Sequence, residues 1–374
     1  MIRVVITGAS GLLGWHCATR LHARNCAATF RGEPQPFEIV AIDRDSFNDS
    51  ARLRYALAGA EAVLHFAGVN RGTDEQVERG NCVIAERLAA GCRDVGGTPH
   101  IVYANSTHAS VDSPYGRSKR QAAEILGAAV PRFTDLVLPH IFGEGARPFY
   151  NNVTATFIHQ VVRGDVPSVN PEGEVRLLHA GAAADEAIGA VCWGLTGPLR
   201  PEPRPMKVVE LLQRIRGFHA AYTGNIFPDL SDPIDLALFN SYRSALYPAF
   251  FPRPLNLNRD ARGVLFEAVK SCGGGQTFLS WTEPGVTRGN HFHLNKVERF
   301  LVLQGEAVIR IRRVLGGPVW EYRLSGGEPA AVDMPTMHAH SIENVGDRPL
   351  LTLFWTQAFF DPAAPDTYSD LVLG

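Results

Sequence analysis

The sequence predicts an α/β domain with a parallel, doubly wound sheet, followed by an all-β jelly-roll barrel. Three observations carry this expectation. The first half alternates short β-branched runs with helix-periodic stretches. From Arg262 onward only strand-like runs occur, separated by Gly-Gly and Gly-Pro turns. At 374 residues the chain also exceeds what one hydrophobic core usually organises.

Taken in order, Ile2–Thr7 is a β-branched run and Leu12–Ala23 has helical periodicity. Residues 38–43, 62–66, 101–104 and 135–138 read as further buried strands, each followed by helix-like sequence. Between Pro198 and Pro254 nine prolines punctuate the pattern, and one amphipathic helix fits residues 207–216. This stretch reads as the end of the first domain plus a connector, which sets the expected domains at 1–250 and 251–374. Residues 276–281, 299–303, 307–313, 319–324 and 350–355 are the candidate barrel strands.

Composition narrows the function classes. The chain is 45% hydrophobic and 20% charged with a net charge of −2, so no basic field points to nucleic acid. No apolar run is long enough for a membrane span, and the N-terminus lacks the pattern of a signal peptide. A cytoplasmic location is expected. The six cysteines are scattered without CxxC spacing, which argues against a sulfur-based zinc site. Four of the 13 histidines, in contrast, crowd the C-terminal quarter.

The run Gly8-Ala9-Ser10-Gly11-Leu12-Leu13-Gly14 follows a strand and opens a helix. Glycines there allow a tight turn and close backbone approach to a pyrophosphate, and the helix N-terminus offers N–H groups to it. This is the dinucleotide-binding arrangement of a Rossmann domain, so NAD(H) or NADP(H) is the expected cofactor. Asp43, ending the second strand, suits the ribose hydroxyls of NAD; Arg44 beside it suits the 2′-phosphate of NADP. Tyr115 and Lys119 have the YxxxK spacing that puts both on one helix face. A lysine ammonium there would lower the phenol pKa and fit it for proton transfer. Ser106, nine residues upstream of Tyr115, could hold a substrate carbonyl.

A second site is expected in the barrel. His291 and His293 stand at i and i+2, Glu298 follows on the next strand, and His340 comes from a distant one. Three imidazoles and a carboxylate suit zinc or another divalent metal. His338 is an alternative to His340, which is preferred because Asn344 follows it at the spacing of the cupin signature.

With these residues in hand, the chain resembles an extended short-chain dehydrogenase/reductase in front and a cupin behind. The combination resembles the bifunctional capsular-polysaccharide enzymes of the CapF type. The carriers are TGASGLLG, HFAGVNR (65–71), SPYGRSK (113–119), YNNVTATF (150–157), EPGVTRGNHFH (283–293), HSIENVGD (340–347) and FDPAAPDTY (360–368). The resemblance implies C3 epimerisation of a UDP-4-keto-6-deoxy amino sugar in the cupin, then hydride reduction of C4 in the reductase. It assigns Ser106, Tyr115 and Lys119 to catalysis and Lys296 to proton transfer. It also implies Ala67 and Gly68 at the cofactor, and Asn151 and His140 at the sugar. Because cupins often pair by sheet exchange, a homodimer, or a tetramer, is expected through the barrel.

The chain departs from the family pattern at several places. Residues 180–184 are nearly all small, Met337 stands where cupins usually have glycine, and His140 ends an altered substrate loop. Two other readings compete: a reductase whose cupin only dimerises, and a cupin metal oxygenase fused to a nucleotide-binding domain.

Overall fold

The computed structural model describes all 374 residues and divides into two compact units. One comprises residues 1–143, 150–152 and 174–207; the other comprises 144–149, 153–173 and 208–374. The units interleave, in place of a single cut at 250/251.

The first unit is built on six parallel strands in the order Phe37–Ile42, Ile2–Thr7, Ala62–His65, His100–Ser106, Phe133–Leu138, Gly197–Leu199. The strands after Ile2–Thr7 add first on one side of it and then on the other. That reversal opens a crevice at the strand C-termini, where ligands of such sheets bind. Alternate residues of the central strand serve the two faces. Val4 and Ile6 pack with Cys17, Ala18 and Leu21 of helix Leu12–Phe30 and with Ala183, Ala184 and Ala187 of helix Ala180–Trp193. Val5 packs on the other face with Leu88 of helix Asp74–Asp94 and Leu126 of helix Pro114–Ala129.

The run of small residues at 180–184 has a packing reason. A Cβ on Gly181 would lie 2.1 Å from the Arg20 guanidinium, which reaches past it to Asp185. Three shorter strands, His140–Phe142, Glu174–His179 and Arg204–Lys207, form a separate sheet.

In the second unit two five-stranded antiparallel sheets face each other. One holds Arg253–Pro254, Ala330–Met334, Glu298–Gln304, Leu350–Thr356 and Gln276–Thr282. The other holds Val319–Ser325, Glu306–Arg313, His338–Asn344, Thr287–Phe292 and Tyr368–Ser369. Phe300, Val302, Ile309, Ile311, Val332, Ile342 and Phe354 fill the space between them. The jelly-roll expectation is met.

In the stretch read as a connector, the helix expected at 207–216 is present as Val208–Thr223, and a second, unexpected helix, Pro233–Leu246, follows; both belong to the barrel unit. Proline misled because Pro233 occupies the first turn of its helix behind an Asp232 cap, where a missing N–H costs nothing. Asn240 and Arg243 of this helix donate to the carbonyls of Asn295 and Met334 at 2.7 and 3.1 Å.

Strand Ala330–Met334 escaped notice because Asp333 interrupts its apolar run. That carboxylate is buried but fully engaged. Arg299 Nε and Nη2 donate to it at 2.6 and 2.9 Å, and the Tyr222 hydroxyl donates at 2.5 Å. The Arg299 guanidinium also lies 4.6 Å from the centre of the Phe227 ring. Asp333→Ala would strand a buried guanidinium, at a cost of about 3–5 kcal/mol. Urea unfolding of the barrel unit should show that loss, whereas Asp229→Ala on the surface should stay within about 0.5 kcal/mol.

Candidate functional sites

At the end of strand Ile2–Thr7 the backbone turns through Gly8 with φ +69°, and a Cβ there would lie 2.8 Å from the Ala67 nitrogen. Two loops at the sheet crevice therefore touch backbone to backbone. A Cβ on Gly14 would lie 2.2 Å from the Gly8 carbonyl, so the helix start sits directly on the turn. The cap residue Gly11 brings no side-chain acceptor, leaving the N–H groups of Leu12, Leu13 and Gly14 uncapped by side chains beside Ser10. Such a helix end favours phosphate. The Thr7 hydroxyl accepts from Ala67 N–H at 3.3 Å and lies 2.7 Å from His65 Nδ1. Gly68 follows at close quarters: its Cβ position is 3.0 Å from Asn81 Oδ1.

Asp43 caps the short helix Arg44–Asn48 by accepting from Ser46 N–H at 2.7 Å, and both it and Arg44 are exposed.

The Tyr-Lys pair lies on helix Pro114–Ala129. Ser106 ends strand His100–Ser106, and its hydroxyl hydrogen-bonds the Tyr115 phenol. Gly116 is obligatory, since a Cβ would fall 2.1 Å from the Val111 carbonyl. The expected effect of Lys119 on the phenol is not what the structure has. Lys119 Nζ donates to the Ala104 carbonyl at 2.5 Å and rests over the Tyr103 ring, 4.2 Å from its centre. Burial raises the Tyr115 pKa, with Ser106 pulling it back. Burial also pushes Lys119 down to about 7, opposed by Asp135.

Sequence reasoning missed three supporting residues. Tyr103 supplies the ring under the ammonium. Asn81 bonds both backbone groups of Val69 and the Ser118 hydroxyl, joining the crevice loop to the Tyr-Lys helix. Asp135 accepts from Asn105, whose oxygen accepts from Ser106 N–H. Only the buried polar character of these residues could have flagged them.

Asn151 has φ 52° and donates to the Asn70 carbonyl at 2.9 Å, within the same unit as the crevice. His140 follows, two residues on, the Leu138 that pairs with Ser106. Burial lowers its pKa, Asn152 bonds it, and its Nε2 has no partner.

In the barrel unit the ligand atoms of His291, His293, Glu298 and His340 all lie within 4.8 Å of one another. Glu298 Oε2 is 3.1 Å from His293 Nε2 and 3.2 Å from His340 Nε2. Burial pushes the Glu298 carboxyl up, but His293 and His340 hold it well below the usual carboxylate range. Burial drives His291 down to about 2, with His340 and His293 adding to the shift. His293 Nδ1 donates to the Asp366 carbonyl and His340 Nδ1 to the His338 carbonyl, turning both Nε2 atoms inward. His338 bonds the Thr336 carbonyl and stacks edge-on against Tyr247, outside the cluster.

Local backbone makes this convergence possible. Strand Thr287–Phe292 carries an irregularity between Gly289 and His291, and Gly289 has φ +92° with its Cβ position 2.8 Å from the His340 carbonyl. Met337 has φ 56°, the left-handed conformation that explains a usual glycine there. Arg262, in contrast, is an exposed hairpin residue paired with Asp260.

Residues 4–184 match the NAD dependent epimerase/dehydratase family, and residues 258–368 match the polysaccharide biosynthesis C-terminal domain. The capsular polysaccharide assembling protein CapF from Staphylococcus aureus is 29% identical, with a TM-score of 0.59 over 99% of this chain and 100% of that one. The likeness to CapF runs from end to end. A Pseudomonas aeruginosa protein named UDP-2-acetamido-2,6-beta-L-arabino-hexul-4-ose reductase is 29% identical over 98% of both chains. Residues 4–184 thus form an NAD(P)-dependent oxidoreductase module of the epimerase/dehydratase kind, and the relatives matched along the whole chain include a nucleotide-sugar reductase.

A lysine with its pKa near 7 is an ammonium below that pH and an amine above it. Carbonyl reduction that uses the ammonium should therefore fall as pH rises through about 7 in a kcat profile. Lys119→Met should flatten that limb and lower kcat by about 10²–10⁴-fold.

Proposed function

We propose that the chain is a bifunctional enzyme acting on a UDP-linked 4-keto-6-deoxy amino sugar. The barrel epimerises C3, and the first unit reduces the C4 ketone at the expense of NAD(P)H, for surface polysaccharide or related deoxysugar synthesis. One observation carries the reading: a Ser-Tyr-Lys set and a His₃Glu cluster stand complete on one chain whose relative is named as a UDP-ketosugar reductase.

The two steps use one functional group. A C4 ketone acidifies the C3 proton, and the same ketone then accepts hydride. In the first unit Ser106 holds the ketone oxygen and Tyr115 delivers the proton. Burial keeps the phenol protonated, which is the form a donor needs. Asn151 and His140 hold the sugar; the unpaired Nε2 of His140 suits a hydroxyl partner.

The four barrel residues fit a divalent ion, most readily zinc. Their inward Nε2 atoms and one carboxylate converge, and His340 Nε2 is buried without a well-directed hydrogen bond. Bound there, the ion would polarise the ketone and make C3 more acidic. Lys296 donates to the Pro365 carbonyl and the Thr367 hydroxyl at 2.8 and 3.2 Å, leaving a third position on its nitrogen that takes the C3 proton as an amine and gives one back as an ammonium.

Incubation with the UDP-4-keto sugar in heavy water should put deuterium at C3 without any nicotinamide, and NADH or NADPH should then be consumed. Absence of C3 exchange in zinc-loaded protein sinks the barrel's role. His291→Ala with His293→Ala should abolish exchange yet spare reduction of a pre-epimerised sugar.

We also propose a homodimer through the barrel. The edge strand Gln276–Thr282 exposes Phe278, Leu279 and Trp281, and the hairpin before it exposes Val264 and Leu265. An open apolar edge of this kind favours pairing with another copy. Leu265→Asp with Trp281→Asp should halve the mass seen by analytical ultracentrifugation; an unchanged mass refutes this interface.

A further inference from the structure

The loop between His293 and Glu298 converges on one distant residue. Leu294 N–H donates to Asp366 Oδ1 at 2.9 Å, and the N–H groups of Asn295 and Lys296 donate to Oδ2 at 2.9 and 2.8 Å. The carbonyl oxygen of the same Asp366 accepts from His293 Nδ1 at 2.5 Å. Its neighbours Pro365 and Thr367 take the Lys296 ammonium. Asp366 has φ 43°, a left-handed conformation that Asp tolerates better than most residues. Its carboxylate and its carbonyl thereby address one loop.

Successive N–H groups aimed at one point form a nest for an anion. Here the anion is a side chain of the protein itself, supplied by a segment some 70 residues downstream. The nest fixes the backbone between the second histidine and the glutamate, while the carbonyl fixes the tautomer and tilt of His293. Both are requirements for four groups on three strands and a loop to meet.

We propose that Asp366 is a positioning residue of the barrel site: it fills the nest at 294–296 and aims His293 at the point shared with Glu298 and His340. This rests on the metal reading above. A tail that merely tethers the chain end would need no carboxylate. The distinguishing property is that an empty nest can be refilled by a small anion from solution.

The test uses the full chain and zinc itself. Zinc affinity is measured by competition with a chromophoric chelator in wild type, Asp366→Ala and Asp366→Asn. Asp366→Ala should bind zinc about 10–100-fold more weakly, and added formate should recover most of the loss, with NAD(P)H binding unchanged throughout. Asp366→Asn should be weakened too, but without recovery by formate, because its amide still occupies the nest and sets N–H against N–H. Wild-type zinc affinity in Asp366→Ala, or a loss that formate leaves untouched, overturns the proposal.

If Asp366→Ala does not fold, hydrogen exchange on the wild-type protein decides. The amide of Asn295 belongs to an exposed residue, so slow exchange there reports its bond to Asp366, and fast exchange overturns it. Should wild type bind no divalent ion, the metal reading fails, while the exchange measurement still tests the nest.

Discussion

Glu298 is a carboxylate closed inside a barrel, and enclosing an unpaired charge costs several kcal/mol. Much of the second unit can be understood as compensation for it. Three imidazoles surround the carboxylate, yet burial discourages His291 and His340 from taking the protons that would neutralise it. A cluster with one fixed negative charge and reluctant bases is best completed by a cation. Bringing its members together requires a left-handed Gly289, a strand irregularity before His291, and a left-handed Met337 directly before strand His338–Asn344. Phe300 of the apolar core packs edge-on against His340, 5.6 Å between ring centres, and Arg299, next to Glu298, is held by Asp333.

The first unit meets a different demand. Its sheet is fully covered, so reactive groups can stand only where strands end. Thr7, His65 and Ser106 all lie at such ends, and Tyr103 lies three residues short of one. His65 is stacked 5.6 Å from Tyr103, which underlies Lys119, while Thr7 links His65 to Ala67. The glycine-rich loop and the helix that bears Tyr115 and Lys119 are thus linked through packed rings and hydrogen bonds, with Asn81 as a second link. The two sites depend on opposite devices: a cluster of buried charges in one unit, and apolar rings around a single buried ammonium in the other.

The sequence was most readable where a local pattern has one physical solution. The glycine turn, the buried strands and the YxxxK helix all follow from spacing, and so does the pairing of His291 with His293. It was least readable where polar residues sit inside. Asp333 hid a strand because its partner Arg299 lies 34 residues away. Pro233 masked the helix that it starts, since proline is compatible with the first turn. The effect of Lys119 on Tyr115 was misjudged because the spacing puts both on one face without saying which acceptor the ammonium reaches. Asp366 lies in the FDPAAPDTY run, but nothing local gives its role, which exists only through bonds to a loop some 70 residues upstream.

That last separation bears on how the protein is made. A ribosome delivers residues at about 5–20 per second. The loop at 293–298 therefore waits several seconds for Asp366, which follows His293 by 73 residues. Until then the three loop N–H groups and the His293 ring lack their partner, although every histidine and the glutamate have already been synthesised. Assembly of the cluster is thereby deferred until the strands that carry its members, Thr287–Phe292, Glu298–Gln304 and His338–Asn344, have all been synthesised. Until Asp366 arrives, nothing fixes the loop that carries His293, so the geometry of the cluster is among the last features of this unit to be set.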